Sequence, residues 1–181
     1  VINRQAEKMK NLINQIMELS KLERQKEIEK ERINFSNIIL ELLADYKNLL
    51  EIDKEKKINL IIDVEKDLRI YGNRLMLERV FINLFTNAMK FTETMISVSL
   101  KKINKKVILQ IKDDGIGISK TDQKYIWNRF FQTSNSRNKD KNKGSGLGLS
   151  MVNRIVQLHS GTIELESELG KGSCFIIKFP V

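Results

Sequence analysis

Residues 74–91, RLMLERVFINLFTNAMKF, are apolar around most of a helical circumference, which predicts a helix buried on more than one side. Three polar residues interrupt it in register. Asn83, Asn87 and Lys90 fall at i, i+4 and i+7, on one stripe of the helix. Two carboxamides and an ammonium on a buried helix are costly unless something polar meets them. The plain reading is a strip that faces solvent. The functional reading is a carboxamide oxygen offered to a hard cation beside an ammonium for phosphate, since magnesium takes one or two protein oxygens and fills its shell with phosphate and water.

Downstream, the strand VILQIKD at 107–113 alternates so that Val107, Leu109 and Ile111 share a face, and the same parity carries Asp113 onto that apolar side. A carboxylate there needs a donor. The chain continues Asp114-Gly115-Ile116-Gly117-Ile118, whose glycines let backbone come close to an occupant. An acidic oxygen accepting from an exocyclic amino group, with aliphatic residues over a flat ring, is one way to hold a purine. Taken singly, D-x-G-x-G is more often a turn. Further on, Gly144-Ser145-Gly146-Leu147-Gly148-Leu149-Ser150 opens an amphipathic helix, whose free amides and positive dipole end suit an anion. It is not a Walker loop, because no lysine follows the last glycine, and a polar loop rather than a strand precedes it. Alone it is nonspecific. The stripe, the aspartate-glycine loop and the glycine-headed helix together supply contacts for magnesium, base and phosphate.

Around these motifs the patterning predicts a strand near 32–35, a helix from about Asn37 to Lys54, strands at 57–64 and 68–71, and strands at 95–102 and 107–113 joined by the turn INKK. A short helix at 119–127 precedes TSNSRNKDKNK at 133–143, which has almost nothing to bury and predicts a mobile loop. The glycine-headed helix runs from about 147 to 159, where His-Ser-Gly ends it as a glycine cap, and strands at 162–167 and 174–179 form a hairpin. Such a mixture indicates an α/β (α+β) two-layer sandwich, a mixed but mostly antiparallel sheet with helices on one face. At the other end, Ile2, Met9, Leu12, Ile16 and Leu19 make a heptad-type seam, with Gln5 in its polar slot, that calls for a partner helix. The mixed charges ERQKEIEKER at 23–32 read as a continuation of that helix or a solvated hinge.

With 181 residues, 41% hydrophobic and 30% charged, the chain holds one full domain and an appendage. No apolar run approaches the roughly 18–20 residues of a bilayer helix, and no secretory or lipidation motif opens the sequence, so no membrane contact is expected of this segment. Cys174 is the single cysteine, which excludes an internal disulfide and fits a reducing, cytoplasmic setting. A net charge of +9 suits a polyanion but equally follows from a bias toward lysine, asparagine and isoleucine. Nucleic acid is not expected as a partner, because aromatic and basic residues are not interleaved.

In order and spacing, the motifs resemble those of the catalytic and ATP-binding domain of bacterial sensor histidine kinases, the Bergerat or GHKL fold. NLFTNAMKFT at 83–92 is similar to the family's asparagine box, DDGIGIS at 113–119 to its first glycine box and IWNRFFQ at 126–132 to its phenylalanine box. GSGLGLS at 144–150 resembles the second glycine box, GKGSCFIIKFP at 170–180 the closing segment, and MKNLINQIMELSKLE the second helix of the dimerisation and phosphotransfer hairpin. The resemblance implies a hairpin helix and linker over 1–30 and an ATP-binding domain over 31–181, with 133–143 as its lid. It implies ATP and Mg2+ as ligands, with Asn87 on the metal, Lys90 on phosphate and Asp113 on the adenine amino group. Asn83, Phe91, Gly115, Gly117, Ile118, Arg129, Phe130, Phe131 and Ser173 would complete the nucleotide site. So would Gly144, Ser145, Gly146, Leu147, Gly148 and Leu149, with Phe130 and Phe131 also anchoring the lid.

The usual Gly-Asp before the asparagine box is Gly72-Asn73 here, a change that preserves a helix cap. Gln132 stands where the family commonly has an arginine, so Arg129, or Arg137, Lys139, Lys141 and Lys143, would have to supply that cation. Relatives that hydrolyse ATP carry a glutamate base at the position of Asn83, and an amide cannot take that proton. The resemblance therefore implies phosphoryl transfer to an acceptor histidine on the hairpin of a homodimeric parent, for relay to a response-regulator receiver domain. His159 is the one histidine of this chain and sits at a helix end, where it reads as structural. The acceptor would lie outside the chain. A nucleotide-gated binding module without phosphotransfer is the second reading.

Overall fold

The computed structural model describes residues 2–52, 57–133 and 144–181. Five strands form one sheet: β2 (Asn59–Val64), β4 (Met95–Ile103), β5 (Lys106–Asp113), β7 (Gly172–Pro180) and β6 (Thr162–Glu168), in that spatial order. β2 runs parallel to β4 and every other pairing is antiparallel, which is the mixed, mostly antiparallel sheet expected. β1 (Glu31–Asn34) and β3 (Arg69–Gly72) pair separately as a short antiparallel ribbon, a pairing their isolated sequences do not reveal.

Three helices, α2 (Phe35–Ile52), α3 (Arg74–Phe91) and α4 (Gly148–Leu158), cover the sheet. Alternation along β5 decides which face they cover. Val107, Leu109, Ile111 and Asp113 are buried while Ile108 and Gln110 are half-buried and Lys112 is exposed. Phe35, Phe81, Phe85 and Phe179 fill the interlayer, with Phe81 stacked on Phe85 at 5.3 Å and Phe35 edge-on to Phe179 at 5.7 Å. α3 spans the segment expected of it. Asn73 caps it by accepting from the Met76 amide at 3.1 Å, so the Gly-Asn departure does preserve the cap.

Some boundaries move for local reasons. α2 starts at Phe35 rather than Asn37, because Asn34 Oδ1 accepts from the Asn37 amide at 3.1 Å and caps the helix earlier. The turn after β4 places Asn104 and Lys105 at φ 49° and 60°, the paired positive angles of a two-residue hairpin. The helix expected at 119–127 shrinks to one 3-10 turn, Asp122–Lys124. There Gln123 donates its side-chain amide to the carbonyls of Ile118 and Ser167, both at 2.8 Å, fastening the segment to β6 instead of letting it coil onward. At the end of α4 the left-handed residue is Ser160, φ 57°, not Gly161. The amide of Gly161 still reaches back to the Val156 carbonyl at 2.9 Å.

α1 (Ile2–Arg24) ends inside the charged run, so 25–30 is a linker and not more helix. Its seam divides. Leu19 is buried against the domain, as is Leu22 just beyond the seam, while Met9, Leu12 and Ile16 stay exposed. Arg154 of α4 donates to the Leu22 carbonyl at 3.1 Å, and Glu18 and Glu23 pair with Arg79 and Arg129. No helix among the described residues is long and apolar enough to cross a membrane.

Candidate functional site

The polar stripe of α3, the carboxyl end of β5 and the amino end of α4 enclose a cavity of about 380 Å³. Asn83, Asn87 and Lys90 line it from α3, as the helical spacing predicts. Asn83 donates its side-chain amide to the Arg79 carbonyl at 2.9 Å, which turns its oxygen toward α4. Gly148 comes so close that a Cβ there would lie 2.6 Å from that oxygen. The Asn87 carboxamide, by contrast, makes no hydrogen bond among the described residues and keeps its oxygen for an occupant. Lys90 places its ammonium 4.8 Å from the centre of the Phe91 ring, and partial burial lowers its pKa.

Asp113 is 5% exposed and lies on the wall. Burial raises its pKa, and the amides of Gly115 and Ser173 pull it back toward ionisation. Gly115 donates to Asp113 Oδ1 at 2.9 Å, fixing which way the carboxyl faces. The next residue, Asp114, turns outward. It accepts from Thr92 Oγ1 and Thr94 Oγ1, each at 2.6 Å, and from the amides of Glu93 and Thr94. Burial opposes its charge, but these bonds hold its carboxyl well below the usual range and tie the loop after α3 to the end of β5.

Gly144, Ser145, Gly146, Leu147, Gly148 and Leu149 all reach the cavity, as do Phe91, Gly117, Ile118, Phe131 and Ser173. Gly146 has φ +73° and accepts the Phe130 amide at 2.9 Å; a Cβ would meet the Phe130 backbone at 2.7 Å, so the loop needs glycine here.

Three expected residues do not reach the wall. Gly115 acts through Asp113, against the backbone of Phe91, where a Cβ would lie 1.9 Å from the carbonyl oxygen. Phe130 is 56% exposed at φ 60° and holds the glycine loop by its backbone. Arg129 points away and pairs with Glu23 of α1, so it does not supply the cation that Gln132 lacks. Gln132 itself lines the cavity and donates to the Gly144 carbonyl at 2.5 Å. Of the lid, Thr133 alone is described; Arg137, Lys139, Lys141 and Lys143 lie outside the described residues.

The wall also includes Arg79, Ile116, Ile126, Met151 and Phe175, none of them anticipated. Arg79 was findable, since it precedes Asn83 by four residues and extends the same stripe. The four apolar residues come from four separate segments and carry no local signal. Gln15 and Glu18 of α1 close one side.

Residues 72–181 match the family described as histidine kinase-, DNA gyrase B-, and HSP90-like ATPase. The chain belongs to that family. Among its relatives it is 31% identical over 184 residues to the sensor histidine kinase YclK of Bacillus subtilis, spanning all of this chain and 38% of that protein. It is 35% identical over 191 residues to a sensor-like histidine kinase, ycf26, of Pyropia yezoensis, covering 97% of this chain and 28% of that protein. The chain thus spans well under half the length of these relatives. The catalytic domain of histidine kinase ThkA superposes with a TM-score of 0.72 at 27% identity, over 84% of this chain and 98% of that domain. Sequence and architecture together make this a histidine-kinase ATPase domain with the Bergerat arrangement.

Proposed function

We propose that the cavity binds ATP with magnesium, and that the domain transfers the γ-phosphoryl group to a histidine on a dimerisation hairpin, for relay to a response-regulator aspartate. The observation that carries this reading is convergence. The stripe of α3, the buried Asp113 and the glycine head of α4 are far apart in sequence and share one wall. Asp113 accepts the adenine amino group, the apolar residues cover the ring, and the amides of Gly146 and Gly148 face the phosphates with Lys90 and Arg79 adding positive charge.

The donor set fits a magnesium ion that travels with the nucleotide. No group of three or more His, Cys, Asp or Glu among the described residues could hold a metal by itself, and Asn87 offers one unengaged oxygen, leaving the remaining ligands to phosphate and water. Bound there, the ion would neutralise charge on the phosphates. The residues themselves supply positioning and electrostatics rather than covalent chemistry, as phosphoryl transfer requires. With Asn83 where a base would stand, water is not activated and transfer to an external acceptor is favoured. We further propose that residues 1–30 are the second hairpin helix and linker, and that 133–143 close over the nucleotide.

Calorimetry with ATP, ADP and GTP in the presence of magnesium tests the binding step. ATP and ADP should bind and GTP should bind much more weakly. No binding of any of them would refute the reading.

A further inference from the structure

His159 joins the two helices of the nucleotide site at their far ends. Its Nδ1 bonds the Ile155 carbonyl at 2.7 Å, which places the ring proton there and leaves Nε2 as an acceptor. Nε2 accepts from the backbone amide of Asn73, the cap residue of α3, at 3.0 Å. One neutral ring thus adds a second donor to the Ile155 carbonyl, which already takes the His159 amide at 3.1 Å, and satisfies an amide at the start of α3 that the helix itself leaves without a partner. The ring is 3% exposed and packs edge-on to Phe179 at 6.0 Å. Gly72 makes room for it, since a Cβ at that position would stand 3.0 Å from the ring carbon Cδ2 and 3.2 Å from Nε2.

The two helices run antiparallel, and a second close contact marks the other end of the pair, where Gly148 meets Asn83 inside the cavity. Ten residues of α3 and eleven of α4 separate the two contacts, about 15 Å at the helical rise. Gly148 to Leu158 form one continuous helix, so a shift of α4 along α3 at the His159 end carries through to the Asn83–Gly148 approach.

We propose that His159 is a positioning residue for the nucleotide site: its bond to Asn73 sets the register of α4 against α3, and with it the placement of the phosphate-facing amides of Gly146 and Gly148 opposite Asn83 and Asn87. This rests on the nucleotide-site reading above. The surroundings keep the ring in the required neutral form. Burial lowers its pKa and Lys30 lowers it further, against the opposing pull of the Ile155 carbonyl.

The test compares His159→Phe, which fills the space but cannot accept, with His159→Gln, whose carboxamide oxygen can. Leu43→Ala, in the core of α2 and away from the cavity, serves as a stability control. His159→Phe should shift the Gly148 amide resonance in nucleotide-free protein and weaken Mg-ATP binding about tenfold, the scale of one lost buried hydrogen bond. His159→Gln should restore both, and Leu43→Ala should lower the melting temperature while moving neither. A folded His159→Phe with unchanged resonance and affinity overturns the proposal, as does an equal loss of affinity in Leu43→Ala. If His159→Phe does not fold, the ring nitrogens of the unaltered protein decide. Coupling between the Asn73 amide proton and Nε2 upholds the pin, and a proton on Nε2 overturns it. Absence of Mg-ATP binding by the unaltered chain would remove the nucleotide reading, leaving the Gly148 resonance to judge the pin.

Discussion

Asp113 stands directly opposite Ser173 across the antiparallel β5–β7 pairing, and both residues line the same cavity. Strand parity alone puts the carboxyl there, on the face otherwise occupied by Val107, Leu109 and Ile111. An acid in the core layer is a destabilising choice unless a ligand uses it, and that tension yields the first prediction.

Asp113→Asn should reduce ATP binding more than GTP binding, because the amide can turn a donor toward the guanine carbonyl. Its effect on stability should be the reverse. The native pKa is raised by burial, so the folded chain holds this proton more tightly than the unfolded one, and stability falls as pH rises from the ordinary carboxylate range through the native value. At neutral pH the Asn variant should melt no lower than the unaltered protein. A lower melting temperature with an unchanged ATP/GTP ratio would contradict both parts.

Asp114 is the mirror case. Its pKa is depressed by the bonds from Thr92 and Thr94, so its contribution is complete above the ordinary carboxylate value and is lost as pH falls toward the native one. Asp114→Ala should lower stability at pH 7 by about 1–3 kcal/mol, the cost of orphaning donors to a charged acceptor, reduced where water can replace it. Urea denaturation at pH 7 and again at low pH is the check. A midpoint unaffected at pH 7 would show that the loop after α3 is held by other means.

Removing the Asn87 oxygen separates metal from nucleotide. Asn87→Ala should weaken ATP binding in magnesium much more than in its absence, and Asn87→Asp should behave likewise. Equal losses with and without magnesium, measured by calorimetry, would remove Asn87 from the metal.

The two arginines give a contrast. Both pair with a glutamate of α1, Arg79 with Glu18 and Arg129 with Glu23, but only Arg79 lines the cavity. Arg79→Ala should cost about tenfold in ATP affinity, the scale of a charge-assisted bond, and Arg129→Ala should leave it nearly unchanged. The opposite order would mean that the phenylalanine-box arginine reaches the phosphates after all.

How much of this was legible follows from the range of the interactions. α3, the β4–β5 hairpin and the parity of Asp113 are set by short periodicities, and the sequence displays them openly. The 3-10 turn at Asp122–Lys124 was hidden because Gln123 answers to Ser167, a partner distant in sequence. The pairing of Arg129 is hidden for the same reason, its partner Glu23 being on the first helix. The heptad seam of α1 shows only that apolar residues recur. Which of them meets this domain, Leu19, and which remain exposed, Met9, Leu12 and Ile16, depends on where α4 lies.

Those exposed residues carry a prediction of their own. In a protein containing the complete hairpin, Leu12→Glu with Ile16→Glu should dissociate the dimer, because two charges per chain would be buried in the helical seam. Sedimentation of the double variant at the mass of the unaltered dimer would place the seam elsewhere.

On the proposed function, this domain phosphorylates a histidine other than His159, on a hairpin supplied from outside the described residues. Incubation with γ-labelled ATP and magnesium, first alone and then with a separately prepared hairpin bearing an acceptor histidine, addresses it directly. Acid-labile label should appear on the added hairpin only, and His159→Gln should leave none on this chain to lose. Label on this chain alone that vanishes in His159→Gln, or a hairpin that stays unlabelled while ATP is bound, would contradict the account.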